Sequence, residues 1–172
     1  MINESQFRSG QKPAFQSTIG AHFRHLIEHY RCFFAQYPTG EICFEARERD
    51  GNLESNISYA KQAVLETIGH LEEMYGQVAD CTLTMEDQQS DQRLTTNLAR
   101  ELLFLQAHTV HHYAMIAAMT RSLGVSPTGD FGVAIATRTF NATQETGLPN
   151  QSEATGDNTA HNDVEGGSQC AH

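Results

Sequence analysis

Apolar residues recur at three- and four-residue spacing along three long stretches of this chain, and that period admits little besides packed helices. The first stretch, STIGAHFRHLIEHYRCFFAQY, opens on Ser17 or Thr18 as an N-cap and stays compatible with a helix to about Tyr37, before Pro38 and Gly40. The second runs from about Leu53 to Tyr75, where Ile57, Ala60, Val64, Ile68, Leu71 and Tyr75 form one stripe. The third spans about Thr95 to Leu123 and stops at Gly124 and Pro127. Between them, EICFEARERDG reads as an extended or turn-rich connection, and VADCTLTMEDQQSD as a loop with room for a short strand. Residues 1–16 are polar and broken by Gly10 and Pro13, which predicts an irregular lead-in. From Asn141 onward no aromatic residue, lysine or arginine occurs, so residues 141–172 are expected to form a disordered tail. The pattern predicts an all-α, up-and-down helix bundle over residues 17–140.

The totals narrow the partners. With 172 residues and 39% hydrophobic content, the chain can bury one stable core. A net charge of −10 argues against nucleic acid and membrane surfaces, both of which need clustered lysine and arginine. No apolar run approaches the roughly 18 residues of a membrane span. The polar start, MINESQF, lacks the apolar region of a secretion signal. Cys32, Cys43, Cys81 and Cys170 are scattered without CxxC spacing, which fits reduced thiols in a cytoplasmic protein.

Histidine placement carries the chemistry. At about 100° per residue, His112 falls about 40° from His108, on the arc that also holds Phe104, Leu105, Met115, Ile116 and Met119. His111 lies about 60° to the other side of His108, toward the edge of that arc. His108 and His112 are therefore one turn apart on a buried face, the spacing by which a helix offers two imidazoles to one metal ion. On the first helix, His22, His25 and His29 cluster within about 60°, between the apolar arc and the charged arc of Arg24, Glu28 and Arg31. Any one of them could complete a three-imidazole site with an open position for zinc or a similar divalent ion. Other chemistries find less support. HExxH, Glu-x-x-His, Gly-rich phosphate loops and GxSxG are all missing. Cys32 lies near the front histidines but reads as a buried structural thiol.

STIGAHFRHLIEHY, FEARERD, RELLFLQAHTVHHYAMI and GDFGVAIAT, in that order, resemble the DinB-like (YfiT-like) family of metal-binding four-helix proteins over about Ser17 to Phe140. The DNA polymerase that shares the name is unrelated to it. The resemblance implies that His25, His108 and His112 hold a divalent metal, whether zinc, nickel or iron. His22, His29 and His111 then read as groups lining the pocket or orienting the ligands, with Glu101 as a candidate carboxylate partner. Arg47 and Arg49 read either as guards of the pocket mouth for an anionic substrate or as structural partners of Glu101 or Asp50; the ion-pair reading is preferred.

Relatives of this kind include thiol-dependent transferases and isomerases. The resemblance therefore implies a metal-dependent S-transferase or hydrolase acting on a small molecule, a low-molecular-weight thiol being the natural co-substrate. A non-catalytic binding bundle of the same fold is the rival expectation. Family members carry a further helix ahead of the first one seen here, so the chain is expected to lack the bundle's first helix. Three helices without a fourth would expose an apolar groove, which either an upstream segment or a second copy in a homodimer would cover.

Overall fold

A computed structural model describes residues 2–10, 15–75 and 81–146. The chain divides into two compact units, Met1–Ala134 and Ile135–His172. In the first unit the helices are α1 (Glu4–Arg8), α2 (Ile19–Gln36), α3 (Gly51–Ser55), α4 (Ile57–Met74) and α5 (Leu98–Ser122). Strands β1 (Glu41–Ile42), β2 (Thr82–Asp87) and β3 (Gln92–Asn97) form a sheet in the order β1-β2-β3, with β1 parallel and β3 antiparallel to β2. The second unit contributes α6 (Ile135–Thr146), on which Ile135 and Phe140 are exposed.

The fold is thus mostly helical with a small sheet, a correction to the all-α expectation. The third helix begins at Leu98 and not near Thr95, because residues 92–97 belong to β3. The hairpin has local causes. Asp91 adopts φ +53° in the turn, and the Asp87 carboxylate accepts from the Gln89 N–H and the Ser90 hydroxyl. Leu83 on β2 and Ile42 on β1 are buried, so the sheet closes one end of the helical core.

Caps set the helix ends. The Thr18 hydroxyl accepts from the Ala21 N–H at 2.9 Å and starts α2 as expected. The second helix is split. Asn56, at φ −131° and ψ 107°, ends α3 and caps α4 by accepting from the Tyr59 N–H, a competition between side chain and ladder that the apolar stripe does not reveal. The lead-in is also more ordered than expected: Asn3 and Gln6 form a capping box on α1, and Phe7 is buried against Ile19, Ala60, Ile116 and Met119. The disordered tail is expected from Asn141, yet residues 141–146 belong to α6; the rest of that expectation, residues 147–172, lies outside the described residues.

Both α4 and α5 pack along α2, while their backbones scarcely approach one another. Gly20 permits the close crossing of α2 with the segment that follows β1, because a Cβ there would run into the Glu54 carbonyl. Apolar clusters occupy the two ends of the α2–α5 contact: Cys32, Phe33 and Leu105 at one, Ile19, Ile116 and Met119 at the other. The order of these residues makes α2 and α5 antiparallel. The level between the clusters is where both helices carry histidine.

Candidate metal centre

Halfway along the α2–α5 contact the apolar stripes of both helices give way to imidazole. His25, His108 and His112 each offer a ring nitrogen, and these three atoms lie within 4.8 Å of one another. Their Cα atoms belong to rigid helices, so the cluster is held by the packing on either side of it. His25 Nε2 is 3.0 Å from His108 Nε2, a distance at which both rings compete for a single proton. The His112 ring stands 4.7 Å from that of His25 and 4.6 Å from that of His108, centroid to centroid.

His22, His29 and His111 are arranged around this core. His22 Nδ1 faces His112 Nδ1 at 2.8 Å, so one of the pair carries the proton. With the proton on His112, the His112 Nε2 lone pair is free to enter the cluster, and His22 keeps its own proton on Nε2, a buried atom without a hydrogen-bond partner among the described residues. His29 donates from Nδ1 to the His25 carbonyl at 2.6 Å, and its ring meets His25 and His108 edge-on. That bond leaves the His29 Nε2 lone pair unprotonated. His111 is exposed and touches only the ring of His112 in this group. Phe44 stacks on His29, and Phe104 packs on His108.

Electrostatics favour neutral rings. Burial, reinforced by the neighbouring histidines and Arg47, pulls His25 down to about 3. Burial with His29, His111 and Arg47 takes His108 to about 4, and burial with the other histidines takes His112 to about 4. His22 and His29 are also lowered, mainly by burial. Neutral imidazole is the form that binds a metal, and a cation placed here displaces few protons at neutral pH. The His108 Nδ1 atom is buried with no hydrogen-bond partner among the described residues. Three imidazole nitrogen donors on two helices fit a divalent transition ion, which displaces the shared proton to the far ring nitrogen, and do not fit calcium or magnesium, which want oxygen.

A carboxylate that helix geometry had placed on the charged arc proves central. Glu28 is buried, with its side chain 1% exposed. It meets Arg49 at 3.1 Å, Arg24 at 3.6 Å and Arg47 at 3.9 Å, and it accepts from the Asp50 N–H at 2.9 Å. The ion-pair reading of Arg47 and Arg49 therefore stands, with Glu28 in place of Glu101 or Asp50 as the partner. The sequence carried one signal for it: Glu28 lies one helical turn from Arg24, so a carboxylate and a guanidinium share that side of α2. Asp50 pairs instead with Arg31 at 2.9 Å. Glu101 is fully buried, but it is bound by Thr96 and Arg100 at the start of α5, about 10 Å of helix rise before His108. Cys32 donates to the Cys43 carbonyl, and burial pushes its thiol up to about 11, which leaves no thiolate at neutral pH.

No protein-family model, curated protein or solved structure matches this chain.

Proposed function

We propose that this chain binds one divalent transition-metal ion through His25, His108 and His112, as DinB-like bundles do, and uses it in an S-transfer or hydrolysis reaction on a small molecule. The observation that carries the reading is the convergence of three neutral ring nitrogens within 4.8 Å at the one level where two antiparallel amphipathic helices both abandon apolar residues. A histidine placed in a core for packing alone leaves ring nitrogens to be satisfied at a cost, and here His22 Nε2 and His108 Nδ1 have no hydrogen-bond partner among the described residues. Zinc, nickel and iron all suit an all-imidazole donor set. Once bound, such an ion with an open coordination position supplies Lewis-acid chemistry toward a thiol or water.

The chain's own residues complete the setting. His22 orients the His112 ring, and His29 is pinned by the His25 carbonyl with its Nε2 lone pair available. Arg47 holds positive charge near His25, His29 and His108, and its buried Nε has no hydrogen-bond partner among the described residues. Arg47 and Arg49 share the single Glu28 carboxylate, and the positive charge this leaves over favours an anionic co-substrate such as the carboxylate of a small thiol. Phe44 and Phe104 shield one side of the cluster from water.

The test is elemental analysis of untagged protein purified without added metal. About one equivalent of zinc, nickel or iron per chain is the expected result. A metal-free protein that also fails to take up added Zn²⁺ would leave the histidines as a hydrogen-bonded layer in a non-catalytic bundle.

A further inference from the structure

The exposed side of α4 carries a pattern that the metal centre does not use. Ser58, Lys61, Leu65, Ile68 and Glu72, with Tyr75 at the C-cap, follow one another at spacings of three and four, and all six are exposed. Large apolar side chains stand in water there: Leu65 is 63% exposed, Ile68 45% and Tyr75 88%. Alternating three-and-four spacing on an open face is the seam by which one helix packs against another. Apolar hollows border this ridge. One of about 480 Å³ lies between α4 and α1, lined by Ile2, Phe7, Phe23 and Val64, and one of about 520 Å³ lies toward α5, lined by Tyr30, Leu71, Met74 and Leu102. An apolar face of this extent on a monomer marks a contact surface.

The identity of the occupant is written into the order of the seam. When the helix is laid antiparallel against its own copy about the point midway between Leu65 and Ile68, each position meets a complementary one. Leu65 meets Ile68 of the second copy, Lys61 meets Glu72, and Ser58 meets Tyr75. A parallel pairing would instead set Lys61 against Lys61 and Glu72 against Glu72. Neither Lys61 nor Glu72 has a side-chain ion pair among the described residues, so both charges are available to the contact. Self-complementarity under a two-fold rotation is the signature of an isologous interface, and an unrelated partner would have no need of it. We infer that α4 is the interface of a homodimer, with two copies packed antiparallel through the seam from Ser58 to Tyr75. The seam is about 26 Å long, and its centre is only two apolar layers deep, flanked by the Lys61–Glu72 layers. An interface of that make-up associates reversibly in the micromolar range and not as an obligate dimer.

The inference is independent of the metal reading. Sedimentation of the full chain over micromolar concentrations should show a monomer–dimer equilibrium. Lys61→Glu and Glu72→Lys should each raise the dissociation constant at least about tenfold, because each sets like charges face to face. Lys61→Glu combined with Glu72→Lys should return it to within about twofold of the unmodified chain. Leu65→Glu, also at a solvent-exposed position, should abolish the dimer, with circular dichroism confirming an unchanged fold. A chain that stays monomeric throughout would overturn the inference. So would a dimer indifferent to the single reversals, or one that the double reversal does not restore.

Discussion

His108 and His112 share one face of α5 and His25 meets them from α2, whereas His111 points away into solvent. Alanine at any of the first three should abolish stoichiometric metal uptake, and His111→Ala should weaken it only modestly; zinc titration of the metal-free variants distinguishes them. His22 acts through His112. His22→Leu should reduce affinity about tenfold to a hundredfold, while His22→Asn, whose side-chain oxygen can accept the same Nδ1–H, should retain most of it. Acid should act on the same rings. His25 titrates near 3 in the fold against 6.5 ordinarily, and His108 and His112 near 4. Between those values and 6.5 the unfolded chain binds more protons than the folded one, so stability is full above pH 6.5 and falls as pH drops through the folded values. Denaturant titrations of metal-free protein from pH 7 to pH 4 should show this loss, and His25→Ala should lessen it. At this scale the pair on α5 was legible because i, i+4 spacing on an apolar face follows from helix geometry alone. The choice of His25 over its neighbours was not, since it depends on how α2 crosses α5; the burial of Glu28 was not either, since it depends on the segment from Arg47 to Asp50 folding over α2.

Among the elements, long helices left the clearest trace in the sequence. Thr18 capped where a hydroxyl before an apolar period should, and the end of α5 fell at Leu123 and Gly124. Short elements left little. Strands β2 and β3 alternate too weakly to announce themselves, with Leu83 the one buried side chain between them, and α1 depends on Phe7 finding a place beside Ile19. The break at Asn56 is invisible to periodicity because the stripe continues through it. It should nonetheless be measurable: Asn56→Ala removes the cap of α4 and should cost about 1 kcal/mol in chemical denaturation. Gly20→Ala tests the crossing beside it. A methyl group against the Glu54 carbonyl forces the backbones apart, and a loss of about 1–3 kcal/mol is expected.

For the molecule as a whole, the metal should act as a staple between helices that otherwise share a wet, polar layer. Because a metal that binds only the folded chain stabilises it by mass action, zinc at about a hundred times its dissociation constant should add about 2.7 kcal/mol. For a chain of this size that is a rise of about 5–10 °C in thermal midpoint. His108→Ala should show no such rise. X-ray absorption at the zinc edge of the zinc-loaded protein shows whether imidazole is the sole protein ligand to the ion. Three histidine ligands should give a first shell of nitrogen and oxygen at about 2.0–2.1 Å with the outer scattering of three imidazole rings. A sulfur shell at about 2.3 Å, which would bring Cys32, Cys43 or Cys81 to the metal, or the scattering of fewer than three rings, would contradict it.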